Sequence, residues 1–139
     1  MTSFANPGTE EICQRLKTVR TIAVVGLSPK AGRPSYGVSQ AMQRFGYRII
    51  PVRPLVSEVL GEQAYARLSD VPDKIDLVNV FRAAEHIPAI VDECLQLQLP
   101  AIWIQEGIHA PEAALRARAA GMWVVMDRCI YRDYAGYCL

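Results

Sequence analysis

One stretch of this chain has the residue types of an anion-binding loop: Gly26-Leu27-Ser28-Pro29-Lys30-Ala31-Gly32-Arg33-Pro34-Ser35-Tyr36-Gly37. It follows an apolar run of strand length and precedes a helical pattern. Backbone amides of such a loop, with the free amides of a helix start behind it, can converge on a pyrophosphate, and Lys30 and Arg33 add charge. Gly26, Leu27, Ser28, Pro29, Lys30, Arg33, Ser35 and Tyr36 are therefore candidate ligand-binding residues. The loop does not follow the dinucleotide pattern G-x-G-x-x-G, which needs glycine where Ser28 stands, nor does it contain the G-K-[ST] of a P-loop.

The second candidate group is Arg53-Pro54, directly after the second apolar run. NAD-binding folds place an acidic residue there for the ribose 2′-hydroxyl; an arginine suits a ribose carrying an extra phosphate. Phe81 could stack on an adenine or pack in the core, and Arg82 could reach a phosphate. Gln105 and Glu106 follow the fourth apolar run and face the same region. Glu106 has no paired acid or base in the pattern, so no catalytic residue is assigned. His86 and His109 lie apart from the cysteines, and no metal site is expected.

These residues have to be held by an alternation of short apolar runs and amphipathic segments. Thr21–Val25, Arg48–Val52, Leu77–Phe81, Ala101–Ile104 and Met122–Met126 are continuous apolar runs, as strands buried on both faces of a parallel sheet are. Between them, Val38, Ala41, Met42 and Phe45 form one helical stripe. Ile87, Ile90, Val91, Cys94 and Leu95 form another, and Pro111 opens a third helix that Gly121 closes. A further helix around Glu10–Thr18 precedes the first strand. For Leu55–Asp73 the sequence predicts no full helix, only short helical turns around Ala64–Leu68 and near Asp70. The pattern is that of a doubly wound α/β domain with a five-stranded, mainly parallel sheet, expected in the order 3-2-1-4-5 with helices on both faces. In such a sheet the ligand lies beyond the carboxyl ends of the strands.

Length and charge bound the function. A chain of 139 residues with 51% hydrophobic content forms a single core-bearing domain, expected over 1–139. Its net charge of +1 argues against nucleic acid or an anionic membrane as partner, while leaving room for a local basic pocket. No apolar run reaches transmembrane length, and a soluble, cytoplasmic protein is expected. Cys13, Cys94, Cys129 and Cys138 show no C-x-x-C spacing; no disulfide framework is expected, and Cys13 and Cys94 read as buried small hydrophobes. Cys129 follows the fifth strand beside Arg128, which would favour a thiolate there, although a structural cysteine is the plainer reading.

In combination, Ala23-Val24-Val25-Gly26-Leu27-Ser28, Arg33-Pro34-Ser35-Tyr36-Gly37-Val38, Gly46-Tyr47-Arg48-Ile49-Ile50-Pro51-Val52, Val80-Phe81-Arg82, Trp103-Ile104-Gln105-Glu106-Gly107-Ile108 and Val125-Met126-Asp127-Arg128-Cys129 resemble the small stand-alone CoA-binding proteins. These are similar to the Rossmann-like CoA-binding domain of the succinyl-CoA synthetase alpha subunit. The resemblance covers about residues 10–135. It implies a nucleotide-binding domain for coenzyme A or an acyl-CoA, with contacts carried over to Gly26, Ser28, Lys30, Arg53, Pro54, Phe81, Gln105 and Glu106. Pro29 and Lys30 depart from the Gly-Ser pair of the synthetase loop. Synthetase chemistry needs a phosphohistidine from another domain and a nucleotide-binding beta subunit, so the resemblance implies a CoA-binding module without chemistry of its own, its protein partner unspecified. An NADP-binding oxidoreductase or sensor, and a subunit of a multi-chain acyl-CoA synthetase, remain alternatives.

Overall fold

The computed structural model describes residues 3–139. Helix α1 (Thr9–Thr18) leads into β1 (Thr21–Val25), α2 (Pro34–Arg44) and β2 (Arg48–Val52). A small antiparallel hairpin follows, β3 (Glu58–Val59) with β4 (Glu62–Gln63), then a 3-10 turn (Leu68–Asp70) and β5 (Leu77–Val80). Next come α3 (Ile87–Gln96), β6 (Ala101–Gln105), α4 (Pro111–Ala119), β7 (Trp123–Arg128), α5 (Ile130–Asp133) and a π-helical turn (Tyr134–Cys138).

The five long strands form one parallel sheet with helices on both faces, as the alternation predicts. Residues alternate between the two layers along each strand. Ile22 and Val24 of β1 meet Ile12 and Leu16 of α1, Met42 of α2 and Ile130 of α5. Ala23 and Val25 face the opposite layer, where Ile87, Val91 and Cys94 of α3 join Ala113, Ala114 and Ala117 of α4. The alanines explain the weak apolar stripe of α4: small side chains let its backbone approach the sheet closely.

The strand order is β2-β1-β5-β6-β7, that is 2-1-3-4-5 rather than the expected 3-2-1-4-5. The third long strand lies against β1, not outside β2. Two features hold it there. Asp76, just before β5, accepts hydrogen bonds from the amides of Arg20 and Thr21 through Oδ2, both at 3.0 Å, and its own amide donates to Thr21 O. The outer edge of β2 is taken by the segment after the hairpin, where Tyr65 N donates to Pro51 O and Arg53 N donates to Tyr65 O at 2.7 Å. An edge already paired cannot accept another strand. The switch point therefore falls between β1 and β5, and the loop after β1 faces the loop after β5 first, with the β6 loop one strand further.

The helical turn expected near Asp70 is present as the 3-10 turn Leu68–Asp70, whereas around Ala64 the chain is extended and follows a hairpin that the sequence did not announce. The hairpin turn is built on Leu60 and Gly61, both at positive φ (56° and 79°), a primed-turn conformation that a non-glycine residue at the first position does not advertise. A further correction concerns the cysteines. Cys13 of α1 and Cys138 of the π turn form a disulfide across a sequence separation of 125 residues. Cys94 and Cys129 are free and buried. Around Cys94 burial pushes the thiol up to about 12.

Gly26 ends β1 at φ +86°, and a Cβ built on it would stand 2.4 Å from the carbonyl oxygen of Phe81. The chain ends of β1 and β5 approach so closely that only glycine fits. Gly26→Ala is expected to destabilise the fold by more than about 2 kcal/mol, because the clash is with backbone and the φ is strained as well. Chemical denaturation reads this directly, and a wild-type midpoint would refute the close approach. The disulfide closes a long loop, so Cys13→Ser or reduction is expected to cost about 2–5 kcal/mol. Scanning calorimetry with and without reductant should show a Tm drop of roughly 5–15 °C; an unchanged Tm would mean that the link does not constrain the unfolded chain.

Candidate functional site

The loops at the carboxyl ends of β1, β2, β5 and β6 enclose an open cleft of about 900 Å³, closed on one side by the start of α5. Of the residues singled out in the sequence, Gly26, Ser28, Pro29, Lys30, Arg33, Ser35, Arg53, Pro54, Phe81, Arg82, Gln105 and Glu106 line it. Leu27 and Tyr36 do not. Leu27 is fully buried in the layer of α1 and α2, and Tyr36 packs against the same layer. After the left-handed turn at Gly26 the next side chain points back into the core, so at Leu27 only backbone is available to the cleft.

The loop after β1 is shaped by its own hydroxyls. Ser28 N donates to Ser35 Oγ at 3.0 Å, and Lys30 N donates to Ser28 Oγ at 3.1 Å. Both serines are buried, and each keeps a hydroxyl hydrogen to donate. α2 begins at Pro34, which has no amide hydrogen, and has no side-chain cap; Tyr36 N and Gly37 N donate to Arg33 O, so Ser35 N is the first-turn amide left to the cleft or to solvent. Lys30 and Arg33 stand exposed above this floor.

Arg53 reaches across the floor: its Nη1 donates to Gly26 O at 3.4 Å, which turns the side chain toward the loop rather than into solvent. A second hollow of about 640 Å³ lies on the other side of Arg53, Phe81 and Arg82 and adds Arg67 and His86. The outer wall of the main cleft is apolar, made by Pro54, Leu55 and Val56. Leu55 is wholly exposed and sits at φ +64°. Sequence reasoning missed Leu55 and Val56 because the segment after β2 carries no periodic pattern.

The far wall is built by a bulge. β6 and β7 pair in register through Ile104 and Met126, but Gln105 pairs with Arg128, leaving Asp127 as the extra residue at φ +59°. Asp127 accepts the Gly107 amide at 2.7 Å, which pins the loop after β6. The shift carries Cys129 to the cleft wall and starts α5, whose first amide, Ile130 N, donates to Gln105 Oε1 at 3.0 Å. Arg128 is committed elsewhere: Nε and Nη2 donate to the two Asp133 carboxylate oxygens at 2.6 and 2.9 Å, which holds the guanidinium firmly charged. It is Arg132, unmarked in the sequence because α5 was not anticipated, that faces the cleft. Its two terminal nitrogens donate to both oxygens of Glu106, at 2.5 and 2.6 Å. Glu106 is thus paired with a cation rather than poised as a base.

The electrostatic result is local. Lys30, Arg33, Arg53, Arg82 and Arg132 line the cleft against the single carboxylate of Glu106, in a chain whose net charge is only +1. A cleft of this sign with one apolar wall suits an anionic ligand that also carries a flat or aliphatic part. Among the described residues no cluster of His, Cys, Asp and Glu could hold a metal ion. Among the described residues no helix is long and apolar enough to cross a membrane.

Known proteins of the same kind can be compared with this geometry. The protein YneT of Bacillus subtilis, itself uncharacterised, is 43% identical over 125 residues, which is 90% of this chain and 93% of YneT. A hypothetical protein from Pyrococcus horikoshii OT3 superposes with a TM-score of 0.90 at 30% identity, over 99% of both chains. The ADP-forming acetate–CoA ligase II of Archaeoglobus fulgidus is 28% identical over 79 residues; the match takes 55% of this chain but only 12% of that enzyme. This portion is homologous to the CoA-binding part of such synthetases, within the succinyl-CoA synthetase-like group. The model of the family described as the CoA binding domain matches residues 20–135, and the chain belongs to that family.

Proposed function

We propose that this chain binds coenzyme A or an acyl-CoA in the cleft at the carboxyl ends of β1, β2, β5 and β6, as one domain spanning about residues 10–135 and without catalytic chemistry of its own. The observation that carries the reading is the concentration of five cations against one paired carboxylate beside an apolar wall, in a chain of nearly balanced charge. Coenzyme A presents a pyrophosphate, a ribose 3′-phosphate, an adenine and a long amide-bearing arm that ends in a thiol. The loop from Gly26 to Ser35 and the start of α2 offer amides, hydroxyls and the charges of Lys30 and Arg33 to the pyrophosphate. Arg53 and Arg82 suit the 3′-phosphate, and Pro54, Leu55, Val56 and Phe81 suit the adenine and the aliphatic arm.

NADP is the alternative that Arg53 itself favours, since that cofactor also carries a phosphate on the adenosine ribose. The absence of glycine at Ser28 speaks against it. Homology to a small fraction of an acetate–CoA ligase supports a third reading, a subunit of a larger acyl-CoA synthetase; it requires partner chains that co-purify and activity only in their presence.

Thermal denaturation with CoA, NADP and NAD in parallel tests the assignment. CoA at about 100 times its dissociation constant should add roughly 2.7 kcal/mol to stability. Stabilisation by NADP and not by CoA would overturn the reading. Arg53→Ala should weaken CoA by about ten- to a hundredfold, since charge-assisted bonds to phosphate contribute roughly 1.5–3 kcal/mol, and should leave 3′-dephospho-CoA nearly unchanged. Calorimetry of both ligands against both proteins decides this. Equal losses would assign Arg53 to the loop it touches at Gly26 O rather than to the 3′-phosphate.

A further inference from the structure

Cys129 is a free, largely buried thiol that lines the cleft. Cys94 is buried between α3 and the sheet, and Cys13 and Cys138 are joined to one another. Among the described residues that leaves Cys129 as the free thiol that lines the cleft. Beside it stands Gln105, whose side chain is held against the neighbouring residue by the bond from Ile130 N to Oε1. Gln105 is 3% exposed and lines the same cleft, yet its amide nitrogen has no hydrogen-bond partner among the described residues. That nitrogen is not itself buried, and a donor that opens onto a cleft offers a hydrogen bond to an acceptor from a ligand. Arg132, paired with Glu106, lines the same cleft.

We propose that Cys129 is a thiol–disulfide exchange site for the thiol end of the ligand, with Gln105 as the donor that positions the ligand's last amide. The proposal rests on the CoA reading and extends it from ligand storage to redox chemistry. In the arm of coenzyme A an amide stands a short ethylene link away from the thiol, so one cleft wall can hold the amide carbonyl on Gln105 Nε2 and bring the sulfur to Cys129. The co-reactant is CoA disulfide. The Cys129 thiol loses its proton to solvent, and its thiolate attacks one sulfur of that disulfide. The ligand's S–S bond breaks as a new S–S bond forms to Cys129. The second CoA leaves as a thiolate and takes up a proton, so the protein thiol is oxidised and one half of the ligand is reduced. A reducing thiol reverses the step and frees both the ligand and Cys129.

The test treats the full chain with CoA disulfide and, separately, with glutathione disulfide at equal concentration, followed by intact mass and peptide mapping. One CoA per chain on Cys129 is expected, released by dithiothreitol and formed at least about tenfold faster than the glutathione adduct, because the cleft recruits one disulfide and not the other. Cys129→Ser should give no adduct, and the mapping of the wild-type adduct locates the cysteine even if that variant folds poorly. Calorimetry of the wild type with acetyl-CoA, which has no free thiol, separates the two levels of the reading. Acetyl-CoA binding with no adduct from CoA disulfide would overturn the exchange site and leave the CoA assignment standing. Absence of binding by both acetyl-CoA and CoA would remove both. Equal rates with the two disulfides, or an adduct mapped to Cys94, would also overturn the proposal.

Discussion

β1 is hydrogen-bonded to β2 on one side and to β5 on the other, and its side chains from Ile22 to Val25 are buried on both faces. No water reaches its middle, so its polar requirements are met by its neighbours and at its two ends. At the amino end Asp76 takes the amides of Arg20 and Thr21. At the carboxyl end Gly26 N donates to Val52 O and Phe81 N donates to Val25 O, and the three chains then part. The loop after β1 leaves toward the layer of α2, while the loop after β5 leaves toward that of α3. A cleft between diverging loops is the geometric consequence, and the contact of Gly26 with Phe81 sets how tightly its floor closes.

Charge is distributed according to the same geometry. Outside the cleft three cations are paired, Arg116 with Asp92, Arg48 with Asp73 and Arg128 with Asp133, and the first two are solvent-exposed pairs of small energetic weight. Within it, Lys30, Arg33, Arg53 and Arg82 have no carboxylate partner among the described residues, and Arg132 neutralises the one acid present. Leaving cations unpaired at one end of a sheet costs stability through their mutual repulsion, and an anionic ligand relieves it. The apolar wall at Leu55 has a similar character: an exposed leucine in the left-handed region is tolerated at a binding surface and is hard to explain elsewhere.

The wall formed by β7 and α5 ties this cleft to the far side of the molecule. The bulge at Asp127 carries Cys129 and Arg132 to the cleft, the Arg128–Asp133 pair stiffens the turn, and Trp103 Nε1 donates to Arg128 O across it. The π turn that follows is linked by Cys138 to α1, whose Ile12 and Leu16 pack under β1. Tyr47, buried against Tyr134 and donating to Leu16 O, completes the layer, and burial raises its phenol well above the ordinary range. The family assignment explains why such a framework exists; the disulfide and the bulge are how this chain holds it.

Local chemistry determined much of this. Runs such as Thr21–Val25 and Arg48–Val52 are too short and too uniformly apolar for anything but strands covered on both faces, and the structure has them at those limits. Pro111 at a helix start, and a loop carrying Gly26, Ser28, Lys30 and Arg33 between a strand and a helix, depend on neighbouring residues alone, so these could be read in advance. What depended on distant partners could not. The place of β5 is decided by Asp76 bonding to β1 and by Tyr65 covering β2, neither of which leaves a periodic trace. Leu27 looked like a loop residue until the turn at Gly26 aimed it into the core. Cys13 and Cys138, at opposite ends of the described chain, meet because α1 and the π turn cover the same sheet face. The bulge at Asp127 shifts the pairing of β6 and β7 by one residue, and that one residue decides which side chains after β7 face the cleft. Short-range sterics and hydrophobic pattern are carried by a segment itself; register, strand order and the facing of side chains are set only when segments far apart in sequence compete for the same edge of a sheet.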